Sequence, residues 1–104
     1  MIAVIFEVEP KEEGKEEYLT IAAELKTSLE SITGFISVER FESLTNPSRI
    51  LSLSFWEDEN AVKTWRNQIE HRRAQKRGKD YLFDYYRIRV AEVVCDYSIK
   101  KNPT

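Results

Sequence analysis

Few side chains in this sequence are suited to chemistry, and they gather in its last third. His71 is the only histidine, and so the only side chain whose ordinary pKa makes it a proton acceptor and donor near neutral pH. It opens the basic run His71-Arg-Arg-Ala-Gln-Lys-Arg-Gly78, six residues after Trp65. The aromatic and β-branched stretch 81–97 follows, with Phe83, Tyr85 and Tyr86 near its start. The single cysteine, Cys95, has no partner for an internal disulfide and reads as a small packing residue. No glycine-rich phosphate loop, Ser/His/Asp set or His/Cys metal spacing is present in the sequence. Proton transfer beside aromatic walls is the chemistry these residues allow.

Composition narrows the class. With 104 residues, 33% charged and 41% hydrophobic, the sequence reads as one globular domain over 1–104, with 100–104 a loose tail. No apolar run reaches the ~20 residues of a membrane span, and the opening Met1-Ile-Ala-Val-Ile-Phe6 lacks the basic leader of a signal peptide. A cytoplasmic location is the expectation. The net charge of −2 is unevenly spread: residues 1–62 hold five basic and thirteen acidic side chains, residues 63–79 seven and one. A pI near 5.5 argues against a dedicated nucleic-acid binder. The basic run reads as the solvated face of a helix or as a rim that attracts an anionic ligand or partner.

The elements that must position these residues follow from periodicity. Ile2, Val4, Phe6 and Val8 alternate on one face of a first strand, with Ala3 and Ile5 on the other. Pro10 is expected in the first turn of a helix whose stripe is Tyr18, Ala22, Leu25, Leu29 and Ile32, closed by Gly34. Strands are expected over 35–44 and 49–57, with Leu51, Leu53 and Phe55 opposite Ile50 and Trp56. Asp58 is the expected N-cap of a second helix with Ala61, Val62, Trp65 and Ile69 on its apolar side. A break near residues 67–70 is expected, then a short helical piece over about 70–77. That piece would carry His71, Ala74 and Gln75 on one side and free His71 to turn inward. A last strand is expected from about 81 to 97.

Strand, helix, strand, strand, helix, strand is the ferredoxin-like α+β order, βαββαβ, with both helices on one face of an antiparallel sheet. The open face is expected to carry several of Ile5, Ile36, Val38, Ile50, Trp56, Ile88 and Val90. That is too much apolar surface for water, so a homodimer packed sheet to sheet is expected.

The pattern Trp56-Glu-Asp-Glu-Asn-Ala-Val-Lys-Thr-Trp65, then His71-Arg-Arg-Ala-Gln75, then Phe83-x-x-Tyr86-Arg-Ile-Arg-Val-Ala91, resembles the antibiotic biosynthesis monooxygenase (ABM) domain family. The resemblance implies a dimeric α+β barrel with a pocket between helices and sheet. It also implies a monooxygenase that acts on a small quinol or phenolic compound without a prosthetic group. Such chemistry needs a proton acceptor, walls for a flat substrate and little bulk water. His71 would be the catalytic acceptor, and Trp65, Phe83, Tyr85 and Tyr86 would bind substrate. Tyr85 and Tyr86 point to opposite sides of a strand, so one of them at most lines a given pocket. Two alternatives stand beside this reading: a non-catalytic dimer that binds a small molecule, and a haem-degrading enzyme. The six-residue spacing of Trp65 and His71, and Glu7 where haem degraders carry an amide, count against haem.

Overall fold

The computed structural model describes residues 1–12, 15–75 and 83–100, with the description of 15, 21, 24, 25, 69–75 and 83 confined to the backbone. Six elements follow in chain order: β1 (Ile2–Pro10), α1 (Lys15–Glu30), β2 (Phe35–Glu42), β3 (Ile50–Trp56), α2 (Glu59–Gln75) and β4 (Phe83–Glu92). They form one four-stranded sheet in the order β2-β3-β1-β4, antiparallel throughout. This is the ferredoxin-like α+β fold expected from the sequence.

The register sorts each strand into two faces. On the helix side Ile2, Val4 and Val8 of β1 stand opposite Trp56, Ser54 and Ile50 of β3. All of these are buried. Leu29 and Ile32 from α1 and its C-terminal turn, with Ala61 and Val62 from α2, close over Ile2, Val4 and Trp56. A second cluster joins Tyr18 and Ala22 of α1 to Val8 and Ile50, with Phe6 against it. Trp56 is fully buried, and its indole N–H donates to Ser54 Oγ at 2.9 Å. A buried polar group needs that partner, which explains a serine in the core.

The connections are set locally. Asp58 Oδ1 accepts the Ala61 N–H at 2.9 Å, the expected N-cap of α2. Gly34 has φ +94°, a conformation that side chains disfavour, and a Cβ there would sit 2.9 Å from Ala61 Cβ. That close approach seats the α1–β2 turn on the first turn of α2.

Several expectations are corrected. Pro10 ends β1 instead of opening a helix. It sits at the register shift after Glu9, where a missing N–H costs the ladder least. Helix α1 ends at Glu30, four residues before Gly34. Helix α2 runs unbroken to Gln75, so there is no break at 67–70 and no separate piece from 70. Strand β4 stops at Glu92 rather than near 97: its last ladder pair is Ile2↔Glu92, followed by a Val93 N–H bond to Met1 O at 3.0 Å.

The face assignment also changes. Ile50 and Trp56 lie in the helix-side core, and Val38 packs against it. Ile88 and Val90 stand opposite Phe6 and Val4, so they too belong to the helix side. The open face instead carries Ala3, Ile5, Leu51, Leu53 and Phe55, with Phe41 of β2 beside Leu51.

Candidate active site

The helix-side surface is not covered evenly. Over β1 and β3 it is largely buried beneath the two helices, and along β2 Phe35, Val38 and Arg40 are half-buried. Over β4 it lies open: Tyr86, Ile88 and Val90 are 47%, 42% and 48% exposed among the described residues. These three occupy successive helix-side positions of β4, opposite Val8, Phe6 and Val4. The Phe6 ring meets the Tyr86 ring edge to face, with centroids 6.3 Å apart. The result is an apolar ledge with one phenolic hydroxyl, backed by the buried core. A flat organic molecule resting there would cover surface that is otherwise wet.

The inner end of the helical roof is fixed by tryptophans. Trp65 of α2 is half-buried, with its ring centroid 5.9 Å from that of Trp56, which in turn meets Phe35 edge to face at 5.3 Å. Trp65 thus packs on the core cluster while keeping part of its ring exposed. The structure places it with Tyr86 on the same side of the sheet.

Tyr85 goes elsewhere. It stands opposite Glu9 on the far face, as alternation requires, with the Arg49 guanidinium 5.1 Å from its ring centroid. Arg49 also lies 3.7 Å from Glu9 Oε1, which accepts a hydrogen bond from Asn46 Nδ2 at 2.7 Å. Arg89 pairs with Glu7 on that face at 3.1 Å, so this arginine finds its acid within the chain. The side chains of Phe83 and His71 lie outside the described residues. The backbone at 71 is the fourth turn of the unbroken α2. Six residues of continuous helix turn position 71 about 120° from position 65.

Trp65 and Tyr86, both named from the sequence, lie on the same side of the sheet, Trp65 against Trp56 and Tyr86 against Phe6, and the sequence reading missed Phe6, Ile88 and Val90 as ledge residues. The signal was available: Phe6 shares a face with Val4 and Val8, and the antiparallel register then brings Ile88 and Val90 to the same side.

One polar pair is built into the roof. Arg40 of β2 donates to Ala22 O of α1 at 3.2 Å, and its guanidinium also lies against the Tyr18 phenol. Burial pushes the Tyr18 hydroxyl above its ordinary pKa, while the charge and hydrogen bond of Arg40 pull it down. This pair ties α1 to the β2 edge, three strands away from the ledge. Among the described residues no group of three His, Cys, Asp or Glu side chains is placed to hold a metal ion, and no helix is long and apolar enough to cross a membrane.

Comparison with known proteins agrees with this fold. The family model for antibiotic biosynthesis monooxygenases matches residues 1–77. A protein of Pyricularia oryzae named jasmonate monooxygenase ABM is 43% identical over 102 residues, covering 98% of this chain and 46% of the relative. The uncharacterised protein YqjZ of Bacillus subtilis is 32% identical over 60 residues, covering 58% of this chain and 51% of its own. The chain thus spans about half the length of the curated relatives it matches. Among solved structures, Rv0793 of Mycobacterium tuberculosis superposes with a TM-score of 0.77 at 14% identity, covering 93% of this chain and 98% of that one. The haem degrader MhuD of the same organism, with two haems bound, gives 0.72 at 19%, covering 94% and 100%. At such identities these structures speak for the fold alone. The family match and the 43% identity go further: the chain belongs to the antibiotic biosynthesis monooxygenase family.

Proposed function

We propose that this protein is a monooxygenase that oxidises a small ring compound held on the β4 ledge beneath α2. The observation that carries the reading is the ledge itself: Tyr86, Ile88 and Val90 nearly half exposed beside the buried Val4 and Val8 of the same face. The preferred substrate class is a phenol or quinol, oxidised without a prosthetic group. As the one histidine of the sequence, His71 is the candidate acceptor of the phenolic proton, even though the unbroken α2 withdraws the break that would have turned it inward; the resulting anion, unlike the neutral phenol, is electron-rich enough to pass an electron to oxygen. Recombination forms a carbon–oxygen bond at the unsubstituted para carbon of a phenol, or at a free ortho carbon of a quinol, and loss of water gives the quinone or hydroxyquinone. The balance closes with no other reagent: phenol plus O2 yields quinone plus water, one oxygen atom going to each product. Phe6, Tyr86 and Trp65 hold the ring flat, and Phe83 extends the wall.

A homodimer belongs to the same reading. The open face carries Ile5, Leu51, Leu53, Phe55 and Phe41 side by side, a patch that a second copy would cover face to face.

The Pyricularia relative favours a second reading. Jasmonate is a cyclopentanone carboxylic acid, and hydroxylating its saturated carbons consumes two electrons beyond those the substrate supplies. The two readings therefore separate on reductant. In oxygen-uptake assays the phenolic reading predicts turnover of a hydroquinone or phenol panel in buffer alone. Turnover of jasmonate only with added NAD(P)H or another donor would replace it.

A further inference from the structure

The basic run plays no part in the oxidation, yet half of it lies on the helix that passes beside the ledge. Residues 63–79 carry seven basic side chains and one acidic, whereas residues 1–62 carry five and thirteen. An anion is repelled by most of the chain and drawn to this one segment. Helix α2 follows β3 and leads to β4, and β1 lies between those strands, so α2 crosses the helix side of β1. Its start closes over Ile2 and Val4 through Ala61 and Val62, and β4 begins opposite Pro10. The helix therefore runs from the Ile2 end of β1 towards the Pro10 end.

Because α2 is unbroken to Gln75, its sheet-facing side can be followed by angle. Val62 is buried, and positions 66 and 73 lie about 40° and about 20° from it around the axis. Both are arginines. The sheet-facing side of α2 thus changes from apolar to cationic along its length. The sheet below changes too: Val4 is buried, while Ile88 and Tyr86, opposite Phe6 and Val8, are exposed. Positions 62 to 73 span about 16 Å of helix and Val4 to Val8 about 13 Å of strand, which sets the two arginine positions level with the ledge. The negative C-terminal end of a helix favours a cation in its last turn, which accounts for Arg73. It does not account for Arg66, about 2.5 turns before Gln75. Arg66 is exposed, and among the described residues it has no carboxylate partner.

We infer that the ring compound held on the ledge bears a carboxylate, and that Arg66 and Arg73 of α2 pair with it. This rests on the ledge of the preceding section as the binding site, but not on phenolic chemistry there. The ring lies against Phe6, Tyr86 and Ile88, and its acid group meets the cationic side of the helix. A guanidinium suits that task, because its planar fork matches the two oxygens of a carboxylate. The substrate class narrows from ring compounds to ring acids.

The test is an NMR titration of the 15N-labelled full chain under nitrogen, where no oxidation runs, with gentisate and cyclopentylacetate, each beside its methyl ester. At least one acid is expected to shift the amides of residues 86–90 and to bind about tenfold more tightly than its ester at low salt, the gap shrinking as salt rises. The double variant Arg66→Gln/Arg73→Gln is expected to weaken the acid about tenfold and to leave the ester unchanged, which also shows that the variant is folded. Lys63→Gln removes a charge from another exposed position of α2 and is expected to change acid binding by less than about twofold. Acid and ester that bind alike, or a double variant that holds the acid as tightly as wild type, overturn the carboxylate contact and leave the ledge standing. Ligands that shift no amide of 86–90 remove the ledge and the contact together.

Discussion

Gly34→Ala tests how the α1–β2 turn is seated on α2. Two separate costs follow from the structure. Gly34 has φ +94°, where an L side chain costs about 1–2 kcal/mol relative to glycine. The added Cβ would also stand 2.9 Å from Ala61 Cβ, in the first turn of α2, and relieving that overlap costs about 1–3 kcal/mol. Neither neighbour moves easily, because Gly34 O accepts the Glu57 N–H at 2.7 Å and Ala61 is held by the Asp58 cap. Together the substitution is expected to destabilise the fold by about 2–4 kcal/mol. For a domain of this size that lowers Tm by roughly 10–25 °C. Calorimetry of wild type and variant at one protein concentration measures it. Gly34→Asn, which tolerates positive φ better, should keep the steric cost but lose much of the backbone cost, and so fall between the two. A Gly34→Ala variant within 3 °C of wild type would refute the close packing of this turn on α2.

Other consequences are testable in the same protein. Ser54→Ala leaves the buried Trp56 indole N–H without its acceptor and should cost about 1–3 kcal/mol in urea unfolding, with a red-shift-free tryptophan spectrum showing that the ring stays buried. Tyr18 has its pKa raised by burial, so its folded form prefers the neutral phenol. The stability this contributes is present below the ordinary tyrosine pKa of ~10 and is lost as pH rises through the higher folded value. Absorbance at 295 nm should show one tyrosine ionising after the others, and Arg40→Gln should delay it further. Tyr86→Ala removes the exposed aromatic of the ledge, and kcat/KM should fall roughly 2- to 10-fold per ~0.5–1.5 kcal/mol of lost ring contact, with Tm little changed.

Much of the fold was legible because its signals are local. The alternation of Ile2, Val4, Phe6 and Val8, the Asp58 cap and the stripe through Tyr18, Ala22 and Leu29 each point to one element and agree with one another. What misled was apolar patterning on both sides of a strand. Strand β3 carries Leu51, Leu53 and Phe55 on one face and Ile50 and Trp56 on the other. Alternation alone does not decide which meets the helices. Trp65 does decide it, by stacking near Trp56 from α2. Once β3 is phased, the register carries Ile88 and Val90 to the helix side and reveals the ledge.

The continuity of α2 was hidden for another reason. After Trp65 the apolar stripe fades into Arg66, Asn67, Gln68 and the basic run, which resembles a break. Gln68, Glu70, Arg72, Arg73, Ala74 and Gln75 are good helix formers, and their propensity extends the helix without a core stripe. Strand β4 shows the reverse case: residues 94–99 have the pattern of a strand but join no ladder among the described residues.

The central claim is tested most directly by oxygen consumption of the metal-stripped full chain with a panel of hydroquinones and phenols, without added reductant, for wild type and His71→Ala. A phenolic monooxygenase using His71 as its proton acceptor predicts one quinone formed per O2 consumed. It also predicts a kcat about 10²- to 10⁴-fold lower in the variant, with partial recovery as pH rises and the substrate ionises unaided. Uptake that requires an electron donor or haem, or that is unchanged in His71→Ala at every pH, would contradict it.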